Sequence, residues 1–502
     1  MSSQTFTAAI TLLLLLVISA AVSAQNSNNP LLFSNQALLL GDQRSADDPV
    51  TMILPGMALN SGFGSFLDNP AAMAMFEESF LEAGFAFRRV DEDSRFLGNT
   101  QNLTDNQTTL SNIGFVYKLP TRQGSFVVGG GFNQQSFFNR ALGVSGRNNN
   151  ATITDQFKIP GNTFEDIAFN TFAIDYGDVD ETFLESIFRI GFETFPGIRQ
   201  EAEITNRGYT GEFTGFIGTE FQENLFIGLS LGATSGSFRF NRRFLEIDEF
   251  NDFEGDFIDT SGDGEGDTDI DTILLSDKVR TDMTGFRARL GAIYKLTPWL
   301  NIGGSYTFKS RLNIDETFDA RILTTMDNGV EFEDDIFGNF SYRVSFPARA
   351  GFGFAIDNFE GFTLSFSTEY VQFSNTRINF RDDALFEEQQ QENRFISETF
   401  DDVWNFRIGA AYEVNPLFTV RGGYGYQPSR FKDGRDDRNL FSAGFGAALT
   451  NRIGFNIGAQ LIKFDETSTV FDFEDQNFNI QSEVADRNVD QIQVLGTLRL
   501  KF

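Results

Sequence analysis

The final twelve residues alternate between apolar and polar side chains. Apolar and polar positions with a period of two are typical of a β-strand that has one oily face and one wet face. The segment ends in an aromatic residue, which is typical of the closing strand of a bacterial outer-membrane β-barrel. The apolar face carries Ile492, Val494, Leu498, Leu500 and Phe502, and the polar face carries Gln491, Gln493, Thr497, Arg499 and Lys501.

Similar alternation recurs along the chain in segments of about the length that a tilted membrane strand needs. Fourteen such segments are predicted, an even number, as single-chain bacterial barrels have. The fold class is therefore predicted to be all-β, a 14-stranded antiparallel transmembrane β-barrel. The segments are 79–90, 110–118, 125–135, 208–220, 225–235, 283–295, 299–311, 340–356, 361–373, 401–413, 417–427, 440–449, 452–463 and 490–502.

The connections between these segments alternate between short and long. Short periplasmic turns and long external loops are the rule in outer-membrane barrels. The short ones are 119–124, 221–224, 296–298, 357–360, 414–416 and 451, and the long ones are 91–109, 136–207, 236–282, 312–339, 374–400, 428–439 and 464–489.

Charged residues within the strands fall opposite the aromatic face. A charge on the lipid face costs about 2–4 kcal/mol at mid-depth, so these side chains are expected to point into the lumen. The predicted lipid-facing sets are Trp404, Phe406, Ile408, Ala410 and Tyr412; Phe418, Val420, Tyr424 and Tyr426; and Val344, Phe346, Phe352, Phe354 and Ile356.

One long loop, 163–195, has helical spacing instead. Phe164, Ile167, Ala168 and Phe172 recur at intervals of three and four, as do Phe183, Leu184, Ile187 and Phe188. This pattern predicts one or two short helices over the barrel mouth. They would form either an apolar binding site for a ligand or a cap packed on neighbouring loops.

Composition fits a membrane barrel and excludes several classes. The apolar content is 41%, with 60 Phe, yet the mean hydropathy is only −0.21, because alternate barrel residues face water. The chain has no Cys and no His, which excludes thiolate or His-ligated metal sites and Ser-His-Asp hydrolysis. Neither an enzyme nor a cofactor is predicted.

Acidic residues dominate the charge. The net charge is −31 with a pI near 4.3, so nucleic-acid binding is not expected. The excess of acids indicates a solvated surface that resists aggregation, or an adaptation to high salt.

The N-terminus has the features of an export signal. Ala8 to Ala21 is apolar but too short for a comfortable membrane helix, and Val22-Ser23-Ala24 precedes Gln25. The usual basic start is missing. The predicted domains are a signal peptide (1–24), an N-terminal hatch or plug (25–78) and the barrel with long extracellular loops (79–502).

The stretch before the first strand carries a family resemblance. Gly56-Met57-Ala58-Leu59-Asn60-Ser61-Gly62-Phe63-Gly64 leads into Asp68-Asn69-Pro70-Ala71-Ala72-Met73. Together with 112–117, 404–412 and 421–424, it resembles the FadL/TodX family of outer-membrane channels for hydrophobic compounds, particularly its Bacteroidetes-like branch. The resemblance implies a small hatch with an Asn-Pro-Ala motif inside a fourteen-stranded barrel.

The resemblance also implies where the chemistry lies. Asn69, Pro70 and Ala71 would form the hatch motif at the barrel base; the alternative is an ordinary Asn-Pro turn. Gly129, Gly130 and Gly131 interrupt strand three, where a kink would form a lateral gate to the outer leaflet; the alternative is an ordinary barrel corner.

Two further groups of side chains are candidates. Arg289, Arg349, Arg407 and Arg421 are predicted to point inward, either toward a ligand head group or into ion pairs with acids. Asp259, Ser261, Asp263 and Asp267 resemble the start of a calcium loop. Ile270 stands where the loop needs a Glu, so a solvated acidic loop is favoured there.

The predicted function is passive uptake of hydrophobic small molecules, long-chain fatty acids or hydrocarbons, across the bacterial outer membrane. The alternatives are a structural or adhesive barrel with cation-binding acidic loops, and a general porin. The expected partners are the hydrophobic ligand, outer-membrane lipid and the barrel-assembly machinery, which would act through the C-terminal strand. The protein is expected to be a monomer.

Overall fold

The computed structural model describes residues 33–41, 48–159, 162–177, 180, 182–190, 194–253, 255, 258–263, 265–474 and 480–502. The predicted signal peptide, 1–24, lies outside these ranges. The strands are β1 (Phe80–Phe96), β2 (Asn99–Leu119), β3 (Phe126–Phe137), β4 (Arg140–Asn148), β5 (Ile174–Tyr176), β6 (Leu184–Ser186), β7 (Ile198–Gln222), β8 (Leu225–Ile247), β9 (Ile270–Thr297), β10 (Leu300–Thr307), β11 (Ser310–Met326), β12 (Glu331–Phe346), β13 (Arg349–Phe359), β14 (Phe362–Gln372), β15 (Arg377–Phe380), β16 (Asp402–Asn415), β17 (Phe418–Gln427), β18 (Arg438–Ala448), β19 (Ile453–Glu474) and β20 (Ile480–Lys501).

Eighteen of these strands form one antiparallel sheet, and β5 pairs only with β6. The sheet closes on itself because β1 pairs with β20, with Phe80 opposite Lys501. Four wall strands are interrupted, as β3/β4, β10/β11, β12/β13 and β14/β15, so the wall has fourteen positions. The predicted 14-stranded barrel is confirmed.

The helices are short and lie in the N-terminal segment and the loops. They are α1 (Phe33–Gly41), α2 (Pro49–Ile53), α3 (Ser65–Asp68), α4 (Thr154–Phe157), α5 (Glu165–Asn170) and α6 (Phe386–Thr399), with 3₁₀ turns at Pro70–Met75, Phe373–Asn375 and Asp383–Leu385. Among the described residues, no helix is long and apolar enough to span a membrane.

The strands run far beyond their predicted ends on the side of the long loops. The predicted loop 91–109 is a hairpin in which β1 and β2 stay paired up to Phe96 opposite Asn99. Its tight turn places Leu97 and Gly98 at positive φ, as a primed hairpin turn requires. Main-chain pairing needs no apolar face. The polar extensions of the strands therefore carry no alternating hydrophobicity, and they were not predicted.

The outer wall carries a band of exposed apolar side chains, as the alternation predicted. Trp404, Phe406, Ile408 and Tyr412 are exposed, whereas Arg407 between them points inward. The band also includes Phe85, Phe87, Phe115, Phe213, Phe221, Phe286, Leu290, Tyr294, Phe352, Tyr424, Phe441, Leu498 and Phe502.

One predicted lipid-facing set is partly wrong. Val344 and Phe346 are buried, whereas Phe352 and Phe354 are exposed. The wall strand is interrupted between Phe346 and Arg349. Because a one-residue slip turns every side chain to the other face, even-numbered residues face inward before this break and outward after it.

The largest apolar core lies inside the extended half of the barrel, away from the short turns. It joins inward residues of the extended strands to the loop 149–190 and to α1. Its aromatic members include Phe33, Phe157, Phe164, Phe188, Phe238, Phe240, Phe244, Phe253, Phe340, Tyr342, Phe346, Phe380 and Phe400.

Candidate functional site

Residues 48–78, named here the floor segment, fill the lumen at the end with the short turns. Asp48 caps α2 by accepting from the Val50 N–H at 2.8 Å, and it also accepts from the Gly64 N–H at 3.0 Å. Ser125 beside a short turn donates to the Ala74 carbonyl at 2.6 Å. The floor segment contacts strands on opposite sides of the barrel, β7 to β9 and β16 to β20, so it lies across the lumen.

Asn69 fastens the floor segment to the wall. Its side chain is fully buried, and its Oδ1 accepts from the Ala71 N–H at 3.0 Å, which caps the 3₁₀ turn that Pro70 begins. Its Nδ2 donates to the Met57 carbonyl at 2.7 Å and approaches the carbonyls of Ala292 and Gly304 at 3.1 and 3.3 Å. The amide thus links floor to floor and floor to β9 and β10.

Glycines in the wall allow this close approach. A Cβ built on Gly291 would lie 1.8 Å from Asn69 Oδ1, and one on Gly303 would lie 2.0 Å from the Met57 carbonyl oxygen. Both distances are impossible for real Cβ atoms, so any side chain at these two positions would displace the floor segment.

A salt bridge forms the second fastening. Arg407 Nη1 on β16 donates to Asp68 Oδ1 at 3.0 Å, and Asp68 Oδ2 accepts from the Gly56 N–H at 2.7 Å. Arg407 Nη2 also donates to the Thr51 carbonyl. One wall arginine therefore holds two separate parts of the floor segment.

Three of the four predicted arginines meet above the floor segment. Arg289, Arg349 and Arg407 line one cavity of about 70 Å³, together with Asp68 and Glu369. The fourth, Arg421, does not line it; its Nη1 donates to Asn456 Oδ1 at 3.2 Å. The cavity wall is mainly polar, whereas the phenylalanine-rich part of the described lumen lies in the extended half of the barrel.

The arginines around this cavity outnumber the acids. Arg289 binds Glu212 through two bonds of 2.6 and 2.9 Å, and Arg287 shares the same carboxylate at 3.0 Å. Arg349 lies 3.3 Å from Glu369. With the bridge between Arg407 and Asp68, four arginines face three carboxylates, which leaves one positive charge in excess.

Helix α1 lies higher in the lumen than the floor segment. The Phe33 ring packs against Tyr342 and Phe380 with centroids 4.9 and 5.3 Å apart. At the other end of the helix, the Gly41 carbonyl accepts from Arg349 Nη2 at 2.8 Å. The described part of the predicted hatch thus reaches from the extended half of the barrel to its floor.

A match to a family model identifies the family of this protein. The model described as outer membrane protein transport protein (OMPP1/FadL/TodX) matches residues 212–497, more than half of the chain. The chain belongs to this family.

Solved structures agree with this assignment. The chain is similar in fold to a Pseudomonas aeruginosa FadL homologue, with 12% identity, 92% of this chain and 99% of that chain covered, and a TM-score of 0.55. It is also similar to the P. putida toluene transporter TodX, with 13% identity, 90% and 98% coverage, and a TM-score of 0.51. No protein with a curated description matches the chain.

This FadL/TodX family member is therefore a barrel of the bacterial outer membrane, as predicted. Its family is one of outer-membrane transport proteins, and the similar P. putida structure is a toluene transporter. The Bacteroidetes-like branch stays a prediction.

Strand three of this FadL/TodX protein is interrupted, but not at the glycines. Gly129, Gly130 and Gly131 pair without a break with β2 on one side and β7 on the other. The register shifts between Gln134 and Ser136, and β3 ends at Phe137 before β4 begins. The three glycines therefore lie within a continuous ladder, and a lateral gate at these positions stays a prediction.

Beyond this break the wall is joined by side chains. No main-chain pairing links residues 99–111 of β2 to β3 or β4 in the described chain. Instead, Ser94 donates to the Gly143 carbonyl and Asn99 Nδ2 donates to the Ser145 carbonyl at 3.1 Å. Gln135 at the break also lines the cavity that holds Arg289, Arg349 and Arg407, so this cavity and the seam without a main-chain ladder are adjacent.

The patterned loop is mainly a packed cap. Phe164, Ile167 and Ala168 at α5 are buried, as is Phe188, whereas the second predicted helix is the short strand β6 and a turn. Phe169, Tyr176 and Phe183 are exposed on its surface, and the Phe169 and Tyr176 rings lie 5.4 Å apart.

The described residues of the acidic loop do not assemble a calcium site. Asp259 Oδ1 accepts from the Gly262 N–H at 2.6 Å, Asp263 Oδ1 accepts from the Glu265 N–H at 2.9 Å, and Asp267 Oδ1 accepts from Thr260. Ser261 donates to Asp259. Within the described ranges, no group of three acidic side chains could hold a metal ion.

The sequence analysis missed several residues of the site. Glu212, Arg287 and Asp68 complete the cavity charges, and Gln135 connects it to the break. Glu212 and Arg287 could have been predicted from the sequence, because charged residues within membrane strands must face the lumen and pair there. The pairing of Asp68 could not have been predicted, because its partner Arg407 is distant in sequence.

Proposed function

We propose that this protein mediates passive uptake of hydrophobic small molecules that carry an acidic head group, such as long-chain fatty acids. The single observation that carries this proposal is the excess positive charge around the cavity below an apolar outer half. A fatty-acid carboxylate would compensate that charge, while its alkyl chain would lie among the phenylalanines above.

The same observation separates this ligand from aromatic hydrocarbons. The similar P. putida structure is a toluene transporter, and toluene has no group that would bind an arginine. Toluene would leave the one excess positive charge around the cavity uncompensated, and burying an uncompensated charge is costly.

Ligand entry is proposed at the exposed aromatic surface of the cap. Phe169, Tyr176 and Phe183 offer apolar contact at the outer mouth. From there the ligand would pass into the extended half of the barrel and displace part of α1, whose Gly41 carbonyl occupies Arg349.

Release is proposed to depend on the floor segment as a hatch. A ligand carboxylate that binds Arg407 competes with Asp68 and with the Thr51 carbonyl, which loosens one of the two fastenings. The cavity of about 70 Å³ is far below the roughly 300–1,000 Å³ of ordinary ligand pockets, so ligand passage requires such movement.

A lateral exit is proposed at the strand-three break and not at the glycines. The seam between β2 and β4 lacks a main-chain ladder, and Gln135 links it to the cavity. A ligand that leaves there enters the outer leaflet without crossing water. A general porin is disfavoured, because the floor segment lies across the lumen and is fastened to the wall through Asn69 and Asp68.

Uptake of a labelled long-chain fatty acid by cells that lack their own channel tests the proposal. The variant Arg289→Gln/Arg349→Gln is expected to lower the uptake rate by about tenfold or more, since a lost charge-assisted bond costs about 1.5–3 kcal/mol. Arg421→Gln is the matched control, because it removes an inward charge that does not line the cavity.

Transport of toluene and of the uncharged fatty alcohol is measured in the same cells. Fatty-acid uptake that falls in the double variant while Arg421→Gln stays at the parental rate supports the proposal. Equal uptake of acid and alcohol by the parent protein would contradict the head-group assignment, and no uptake of any of the three by a folded barrel would contradict the transport of hydrophobic compounds.

A further inference from the structure

Three arginines form a row across the outside of the barrel. Arg207 on β7 stands directly opposite Arg239 on β8, and Arg239 stands directly opposite Arg280 on β9. All three are exposed, whereas Phe238 and Phe240 beside Arg239 are buried on the inner face. These three residues are named here the arginine row.

The row is electrostatically unfavourable in the protein alone. Like charges directly opposite each other on neighbouring strands destabilise a sheet. Among the described residues, Arg239 and Arg280 have neither an ion pair nor a side-chain hydrogen bond, and Arg207 reaches only Asp105 at 3.5 Å. In a chain of net charge −31, two directly opposed arginines without an ion pair, Arg239 and Arg280, mark a place for an external anion.

The height of the row identifies the kind of anion. Below Arg207 on the outer face of β7 follow Tyr209, Phe213, Ile217 and Phe221, all exposed. Arg207 and Phe221 are separated by about 35 Å along the membrane normal, for a strand that rises about 3.3 Å per residue at a tilt of about 40°. The apolar band of such barrels is about 25 Å tall, so the row lies at the level of the outer-leaflet head groups.

A groove completes the site. A cavity of about 400 Å³ on the outer face is lined by Arg239, Arg280, Lys278 and Phe337. Phe337 is 77% exposed, and Lys278 is only loosely paired, at 3.9 Å from Asp319. Guanidinium groups bind phosphate oxygens in a forked geometry, and the aromatic ring offers an apolar surface beside them.

We propose that the arginine row and this groove bind the phosphorylated head group of an outer-leaflet lipid. The phosphate lies between the opposed guanidinium groups of Arg239 and Arg280 and removes their repulsion. The apolar part of the same lipid lies along the exposed aromatics of β7 and β9. This site faces away from the lumen, so it depends on the outer-membrane location and not on the transported ligand.

Lipid binding to the purified barrel in detergent tests the proposal. The probes are lipid A with its phosphates, dephosphorylated lipid A and inorganic phosphate, and the bound fraction is measured by native mass spectrometry. The variant is Arg239→Gln/Arg280→Gln. The matched control is Arg89→Gln/Arg321→Gln, which removes two exposed arginines that pair with Asp91 and Glu333 instead.

The parent is expected to bind the phosphorylated lipid at least about tenfold more tightly than the dephosphorylated one, as charge-assisted bonds to phosphate require. The variant should lose this preference, and the control should keep it. Unchanged heat-modified migration on gels verifies that both variants fold.

Two results would overturn the proposal. Equal binding of the phosphorylated lipid by the parent and the variant would show that the row is not involved. Inorganic phosphate that binds as tightly as the lipid would show a site for a free anion and not for a head group.

Discussion

At the residue scale, the interior is organised by close contacts that leave no room for substitution. Asn69 meets three carbonyl groups and one N–H group, and its neighbour on the wall must be glycine. The Asn-Pro-Ala motif marked this place in the sequence. Its partners on β9 and β10 lie more than 200 positions further along the chain, and only the fold brings them there.

The substitution Gly291→Ala is expected to loosen the floor segment without unfolding the barrel. Its Cβ would collide with Asn69 Oδ1, and overpacking of this kind costs about 1–3 kcal/mol. Hydrogen exchange of residues 69–76 should become faster, and liposomes containing the variant should leak small solutes. Gly215→Ala is the control, because a Cβ there meets nothing within 4 Å; equal exchange in both variants would disprove the close packing.

A second residue-scale prediction concerns pH and the loop segment 149–157, which packs on Glu246 and is called the cap in this prediction. Burial raises the pKa of Glu246 from 4.5 to about 7, although Thr152, Gln200 and the Ile153 N–H donate to it. The nearby Asp155 also raises it, and Arg189 and Lys158 pair with Asp155. The folded cap therefore keeps a proton that the unfolded cap releases.

The free energy of unfolding of the cap should accordingly fall as the pH rises from about 4.5 to about 7 and then level off. The full effect is on the order of 3 kcal/mol. Hydrogen exchange of residues 149–157 at pH 5 and pH 8, corrected for the intrinsic rate, measures it. Glu246→Gln should remove the pH dependence; a slope that persists in this variant would assign it to another group.

At the scale of elements, strand three and α6 show what alternating hydrophobicity reveals. The membrane part of every wall strand carries this alternation because lipid imposes one apolar face. Helix α6 does not, because its run of Glu and Gln has high helix propensity but few apolar positions. The glycines, where the interruption of β3 was predicted, lie about five residues before the register shift.

A disulfide across the seam tests the proposed lateral exit. A Cβ on Gly143 would lie 3.4 Å from Leu103 Cγ, which is where a cysteine sulfur would stand, and the native chain has no Cys to interfere. Oxidised Leu103→Cys/Gly143→Cys is expected to take up fatty acid at a strongly reduced rate, and reduction should restore it. The two single-cysteine variants are controls, and uptake that is insensitive to oxidation would contradict a route between β2 and β4.

At the scale of the whole molecule, the barrel is asymmetric. One end has tight turns, the floor segment and a membrane band, and the other has strands extended into water around an aromatic core. The extensions carry many of the acidic residues that make the net charge −31, which agrees with a solvated external surface.

This asymmetry predicts the orientation in the membrane. An epitope inserted after Gly262, in the exposed loop between β8 and β9, should bind antibody on intact cells. The same epitope inserted after Pro298, in the turn between β9 and β10, should bind only after the outer membrane is permeabilised. Labelling of the second site on intact, sealed cells would reverse the orientation.

The sequence by itself determined the barrel, its strand number and the face that each membrane strand turns to lipid, because a bilayer forces the alternation of apolar and polar residues. It also singled out Asn69 and the inward arginines. Only the tertiary structure decided which arginines share a cavity, which acids partner them, where strand three breaks and that Val344 and Phe346 face inward. These features depend on contacts between distant strands and on parity changes at strand interruptions, and neither leaves a periodic signal in the chain.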